Sequence, residues 1–242
     1  MKSSFLFAVW PYIAVAWLLM GTAIRYFLAR RHMAAASAEM ANARTVFGGG
    51  KLWTISLLVL FAVHMAGFLF PRAVLQWNAI PARLYLLEGL AFAAGLIALA
   101  AWAALVWRHL GRSGVSLVTE LSDTLFLSLL FVALLSGSIA AVVYRWGSSW
   151  GVMTLTPYVA SLWRGRPAVD FVAQMPFLMQ LHIFSAFAAV AVIPLTRLSS
   201  VMVVGLHRCL ALLDRPISGA VHGAEAWLRK HNPAAWLWPE ED

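Results

Sequence analysis

Five stretches of this chain, at about 5–24, 51–70, 84–107, 121–143 and 175–203, are apolar for roughly the length that crosses a bilayer. About 20 apolar residues at a helical rise of about 1.5 Å each span the hydrocarbon core. That pattern predicts an all-α integral membrane protein, a bundle of five transmembrane helices. The last stretch is long enough to tilt or to run past the membrane surface. Composition agrees, since 62% of the residues are hydrophobic and 12% are charged, against about 25% charged in soluble domains.

The net charge of +8 invites a nucleic-acid reading, which the distribution of that charge opposes. Basic residues flank the apolar stretches instead of forming one patch, and such flanking residues set orientation. With the N-terminus outside, twelve of the 18 Lys and Arg fall on the inner side, from Arg25 to Lys230, and six on the outer side. The expected topology is therefore N-out and C-in. The first stretch is too long, and too basic beyond its far end, for a cleaved signal peptide, so it is expected to be the first span. The single cysteine, Cys209, cannot form an intrachain disulfide, a C-x-x-C-H haem attachment or an iron–sulfur cluster of its own.

The predicted organisation is one membrane domain over residues 1–203 and an inner-surface tail over 204–242. The Ala-rich "MAAASAEMANA" reads as a short surface helix, and the glycine run at 48–50 breaks structure before the second span. Between the fourth and fifth spans, residues 144–167 mix Trp146, Trp150, Tyr158 and Trp163 with three arginines. Such aromatic residues settle at membrane interfaces, so an interfacial helix is expected over about 153–163, as a plain anchor or as a lid and docking surface. His207, His222 and His231 lie outside the apolar stretches and are assigned no cofactor.

Two histidines lie inside the spans, His64 in "LLVLFAVHMAGFLF" and His182 in "FLMQLHIFSAFAAV". An ionisable side chain in lipid is costly and marks a functional candidate. His64 stands seven residues before Pro71 and His182 seven after Met175, which puts each about 10 Å below the outer surface. Equal depth is what two axial ligands of one iron require, and bis-histidine ligation suits electron transfer because no coordination position stays open. Ala66, Gly67, Ser185, Ala186 and Ala188 nearby are small enough to admit a flat macrocycle, or equally to serve helix packing. The plainer alternative is a pair of histidines hydrogen-bonded across the bundle. Met179, one turn before His182, is a weaker candidate ligand. Inverted repeats and broken mid-membrane helices, the usual signs of a transporter, are not evident.

The stretches "WPYIAVAWLLMGTAIRY", "AEMANARTVFGGGKLWTISLLVLFAVHMAGFLFP", "SDTLFLSLLFVALLSG" and "QLHIFSAFAAVAVIPLTRLSS" resemble the gamma, cytochrome b subunit of respiratory nitrate reductase and its relatives. The resemblance covers roughly residues 8–202. It implies five membrane helices in a bacterial or archaeal cytoplasmic membrane, quinol as electron donor, two stacked b haems and a cytoplasmic iron–sulfur partner. Carried over by residue, His64 and His182 are the ligands of the haem nearer the outer surface. The positions of the other two ligands hold Thr54 and Ser200. At eighteen residues after His182, Ser200 is expected to face the same way along a continuous helix, but it cannot ligate iron.

One non-covalent haem b, on the outer side, is therefore expected, in an electron-transfer subunit whose substrate chemistry belongs to a partner. An outer haem favours an outward-facing partner such as a c-type cytochrome, as beside the similar membrane cytochrome of the Dsr complex. The alternatives are a nitrate-reductase-type anchor feeding a cytoplasmic iron–sulfur and molybdenum subunit, and a structural anchor without haem. The resemblance also implies a quinone site at the outer edge of the third span, where Arg83 and Tyr85 are the nearest donors. Glu88 reads as a proton carrier or as the ion-pair partner of Arg83. Asp123 is expected to cap the fourth span or to pair with a basic residue.

Overall fold

The structure, a computed structural model, describes residues 5–110, 121–212 and 227. The described residues are helical apart from short connections. A π-helical turn, Phe5–Val9, leads into α1 (Trp10–Ala29). Then come α2 (Met33–Phe47), α3 (Lys51–Leu69), α4 (Pro71–Asn78), α5 (Pro81–Leu110), α6 (Leu121–Val143), α7 (Gly147–Trp163), α8 (Asp170–Ala173) and α9 (Phe177–Val192). A 3₁₀ turn, Ile193–Leu195, precedes α10 (Leu198–Leu212). Five segments are long and apolar enough to cross a membrane: Phe5–Ala29, Lys51–Leu69, Pro81–Arg108, Leu121–Val143 and Phe177–Leu195. The expected spans are thus found, each within a few residues except at the two ends of the chain's helical array.

The bundle is sorted as lipid dictates. Large side chains such as Leu19, Leu28, Leu58, Phe61 and Leu86 are exposed, whereas Ala14, Ala94, Ala98, Ala133, Ala140, Ala188 and Ala189 are buried. In a bilayer the lipid tails are as apolar as leucine, so helix association rests on close packing through small residues. The closest partners are α6 with α9, α3 with α5, α1 with α9 and α5 with α6. They form an arc that runs α3, α5, α6, α9, α1. The helix pair that carries the two membrane histidines, α3 and α9, is not among these close neighbours.

At one end of the bundle, α7 lies across α3, α4 and α5. It is longer at its start than the expected 153–163 helix, because Gly147 to Val152 are also helical. Its first residue boundary is unusual: Trp146 occupies the left-handed region at φ 68°, an uncommon conformation for a residue with a side chain. The Glu88 carboxylate on α5 accepts the Ser148 N–H at 2.7 Å, which supplies the acceptor that an N-terminal turn needs. Asn78 at the end of α4 donates to Ser148 Oγ and Ser149 Oγ at 3.0 Å each. Tyr158 Oη donates to the Phe7 carbonyl at 2.7 Å, and burial, then the neighbouring Tyr12, raises the pKa of its phenol. A protonated phenol keeps that bond.

The fifth span differs from expectation at the other end. Instead of one continuous helix through residue 203, it breaks at Pro194, and Thr196 is extended. Proline has no N–H to continue the helix, and carbonyls at a helix end take donors from outside it. Arg25 of α1 supplies them, donating to the Pro194 and Thr196 carbonyls at 3.2 and 3.1 Å. Its other nitrogen pairs with Glu39 of α2 at 2.8 Å. Gly21 makes the approach possible, since a Cβ there would stand 2.6 Å from Pro194 Cβ. Asp123 is fully buried and makes the expected pairing with a basic residue: it accepts the Arg197 N–H at 3.0 Å and faces the Arg197 Nε at 3.5 Å. α10 runs through position 203, and most of the tail, with His222 and His231, lies outside the described residues.

Candidate functional site: a facing histidine pair

His64 and His182 come together. Their ring centroids are 6.1 Å apart with the planes tilted 31°. Two metal–imidazole bonds of about 2 Å each, with half of each ring added, make about 6 Å. His64 Nδ1 lies 2.7 Å from the Leu60 carbonyl, one turn back on α3. His182 Nδ1 lies 2.8 Å from the Ala133 carbonyl on α6. A carbonyl can only accept, so both Nδ1 atoms carry the proton and both Nε2 atoms keep a lone pair. Second partners of this kind fix the tautomer of a ligating histidine.

The pair borders a cavity of about 520 Å³ at the α7 end of the bundle, within the range of small-molecule and cofactor sites. Its walls come from α3, α4, α5, α6, α7 and α9 and include Gly67, Ala91, Ala140, Gly151 and Leu155, with Glu88 as its carboxylate. The α7 helix is held against α3 by Thr156, which donates to the Gly67 carbonyl at 3.0 Å. Met179 also lines this cavity; it is buried in the wall.

The three residues expected around a quinone separate. Glu88 lines the cavity and is engaged by the Ser148 N–H. Arg83 does not pair with it: its guanidinium lies 5.2 Å over the Trp77 ring, and Trp77 in turn lines the cavity. Tyr85 is exposed and meets Trp146 edge-on at 5.1 Å between centroids. Ser148 and Thr156 were not legible as site residues, because they hold α7 over the cavity through hydrogen bonds that only the tertiary contacts reveal.

A cluster of large side chains packs in the opposite half of the bundle. Trp53 is buried with Ala98 and Leu134, and Leu57, Leu60, Trp102 and Leu130 pack around them. Trp102 stacks on Phe131 at 4.3 Å. Thr54 bonds its own helix, through Gly50 O at 3.3 Å. Ser200 is buried and bonds Arg197 O at 2.5 Å, but the break at 193–196 means that its direction does not follow from counting turns after His182. His207 sits beside Tyr26, 6.3 Å between ring centroids.

Residues 3–211 match the family described as nitrate reductase gamma subunit. Among characterised proteins, the chain is 25% identical over 200 residues to the respiratory nitrate reductase 2 gamma chain of Escherichia coli K12, covering 80% of this chain and 87% of the relative. It is 25% identical over 201 residues to the nitrate reductase gamma chain of Bacillus subtilis 168, covering 82% and 90%. It is 23% identical over 203 residues to the nitrate reductase-like protein NarX of Mycobacterium tuberculosis H37Rv, covering 82% of this chain and 31% of that longer protein. With five spans and a match over nearly its whole length, the chain belongs to the nitrate reductase gamma subunit family of membrane cytochrome b anchors.

Proposed function

We propose that this chain carries electrons between the membrane quinone pool and partner redox subunits through one b haem, ligated by His64 and His182 on the outer side of a bacterial cytoplasmic membrane. The observation that carries this reading is the facing pair at 6.1 Å, each ring tied through Nδ1 to a carbonyl. The haem, when bound, supplies reversible one-electron chemistry at a closed coordination shell. The protein's part is to hold both Nε2 lone pairs at one level and to line the remaining volume with small apolar side chains. Glu88, at the cavity wall, is the proposed acceptor for a proton released when a quinol is oxidised. Arg83 and Tyr85 form the rim through which a quinone head group approaches.

Two features support a single haem. Neither Thr54 nor Ser200 is a ligand for haem iron, and the space between α3, α5 and α6 at the far end is packed by Trp53 and its neighbours. With the basic residues distributed for an N-out chain, the cavity faces outward, and the exchange partner is an outward-facing redox protein such as a c-type cytochrome. Family membership favours a second arrangement, in which the chain anchors an inner iron–sulfur and molybdenum subunit.

The deciding experiment is a pyridine haemochrome assay on the purified full-length protein, read against protein concentration. One haem b per chain with a reducible, low-spin spectrum is expected. No haem in folded protein overturns the cytochrome reading, and two haems per chain overturn the single-haem assignment. Co-purifying subunits distinguish the two partner arrangements.

A further inference from the structure

We propose that Gly137 on α6, together with the Ala133 carbonyl and the Ser136 hydroxyl, is a positioning element for His182, setting the plane and tautomer in which that imidazole ligates. This rests on the haem reading above. The sequence shows only "LLSGS" in an apolar run, where a glycine and two serines read as ordinary helix packing. Their tertiary neighbours give them a more specific use.

A Cβ at Gly137 would stand 2.9 Å from His182 Cε1, 3.1 Å from Nδ1 and 3.7 Å from Nε2. The missing side chain is therefore the seat of the imidazole edge, on the side of the ring nearest α6. One turn away, the Ala133 carbonyl accepts the Nδ1 proton at 2.8 Å. Ser136 Oγ lies 3.4 Å from the same nitrogen, while its own hydroxyl donates to the Val132 carbonyl at 2.6 Å. With its proton directed to that carbonyl, the Ser136 oxygen turns lone-pair density toward His182 Nδ1. Three positions within about one helical turn, 133, 136 and 137, thus serve one imidazole: a carbonyl, a hydroxyl and a vacancy for the ring edge.

The consequence separates two states of the protein. A histidine free at Nε2 can turn about its side-chain bonds, so an added methyl at Gly137 displaces the ring at little cost. A histidine held at Nδ1 by Ala133 and at Nε2 by iron is restrained at both ends and cannot turn away. An added methyl is then paid for only in the ligated state. His64 has no counterpart, because its Nδ1 partner is the Leu60 carbonyl of its own helix.

The test uses full-length protein in detergent, depleted of haem and titrated with haemin, comparing wild type, Gly137→Ala and Gly89→Ala. Gly89 is the control, since a Cβ there meets nothing within 4 Å. Gly137→Ala is expected to weaken haemin binding on the order of ten- to a hundred-fold. It should also shift the largest g value of the low-spin haem while leaving the unfolding temperature of the haem-free protein at the wild-type value. Gly89→Ala should match wild type throughout. Unchanged affinity and g value in Gly137→Ala overturn the proposal and leave the haem reading intact. A haem-free Gly137→Ala protein that is itself destabilised or fails to fold also overturns it, because the cost then lies in packing and not in ligation. Ser136→Ala supplies a second measurement: its reduction potential should move with haem content unchanged, and an unmoved potential removes the hydroxyl from the assignment. Absence of haemin binding by wild type defeats the haem reading and this proposal together.

Discussion

A histidine in lipid is expensive unless both ring nitrogens are used. In this protein the Nδ1 atoms of His64 and His182 are already spent on the Leu60 and Ala133 carbonyls, and the remaining lone pairs belong to facing rings. Replacement of either histidine by Ala is therefore expected to abolish the low-spin bis-histidine spectrum, which optical and EPR spectra of purified variants will read. Retention of that spectrum in both variants places the ligands elsewhere. Glu88 combines two tasks that mutation can separate. Glu88→Ala removes the acceptor of the Ser148 N–H and should lower stability by about 1 kcal/mol, the usual cost of losing a helix cap. Glu88→Gln keeps an acceptor oxygen, so thermal unfolding should stay near wild type while quinol-driven haem reduction slows. Equal quinol-driven rates in wild type and Glu88→Gln remove Glu88 from proton transfer.

Among the elements, the broken fifth span shows how a local fault is absorbed by a neighbour. Pro194 ends the helix, and α1 answers with a glycine that lets it approach and an arginine that donates to the Pro194 and Thr196 carbonyls. Gly21→Ala would press its methyl onto Pro194 Cβ at 2.6 Å, a contact between a side chain and a fixed ring. It should destabilise by about 1–3 kcal/mol, as overpacked sites do. Gly205→Ala on α10, where a Cβ meets nothing within 4 Å, should stay within about 0.5 kcal/mol of wild type. Thermal unfolding in one detergent compares the two directly. α7 is the other element whose role exceeds its sequence. Its aromatic residues announce a membrane interface, but its placement depends on bonds from Asn78, Glu88 and Thr156.

For the whole molecule, the two ends of the bundle differ in kind. The α7 end holds the cavity with its histidines, and towards the opposite end Trp53 and Trp102 pack together, with Trp102 stacked on Phe131. Which side faces outward is carried by the distribution of Lys and Arg, and the one cysteine tests it. Cys209 is exposed on α10, beyond the break in the fifth span. In an N-out protein it should react with a membrane-impermeant maleimide in inverted vesicles and be protected in intact cells. Labelling in intact cells would reverse the orientation and turn the cavity inward.

Much of this protein follows from hydrophobicity and spacing alone. Five apolar runs specify five membrane helices, because a backbone in lipid must close its own hydrogen bonds. Equal seven-residue offsets from Pro71 and Met175 bring His64 and His182 to one level, because helical rise is constant. Counting along a helix fails where the helix stops, so the facing of Ser200 cannot be counted across the turn at Pro194. Nor does sequence state which carbonyl meets which ring, that Arg83 lies over Trp77 rather than beside Glu88, or that Gly137 is empty for the sake of His182. Those contacts join residues far apart in the chain, and only the packing of one helix against another decides them.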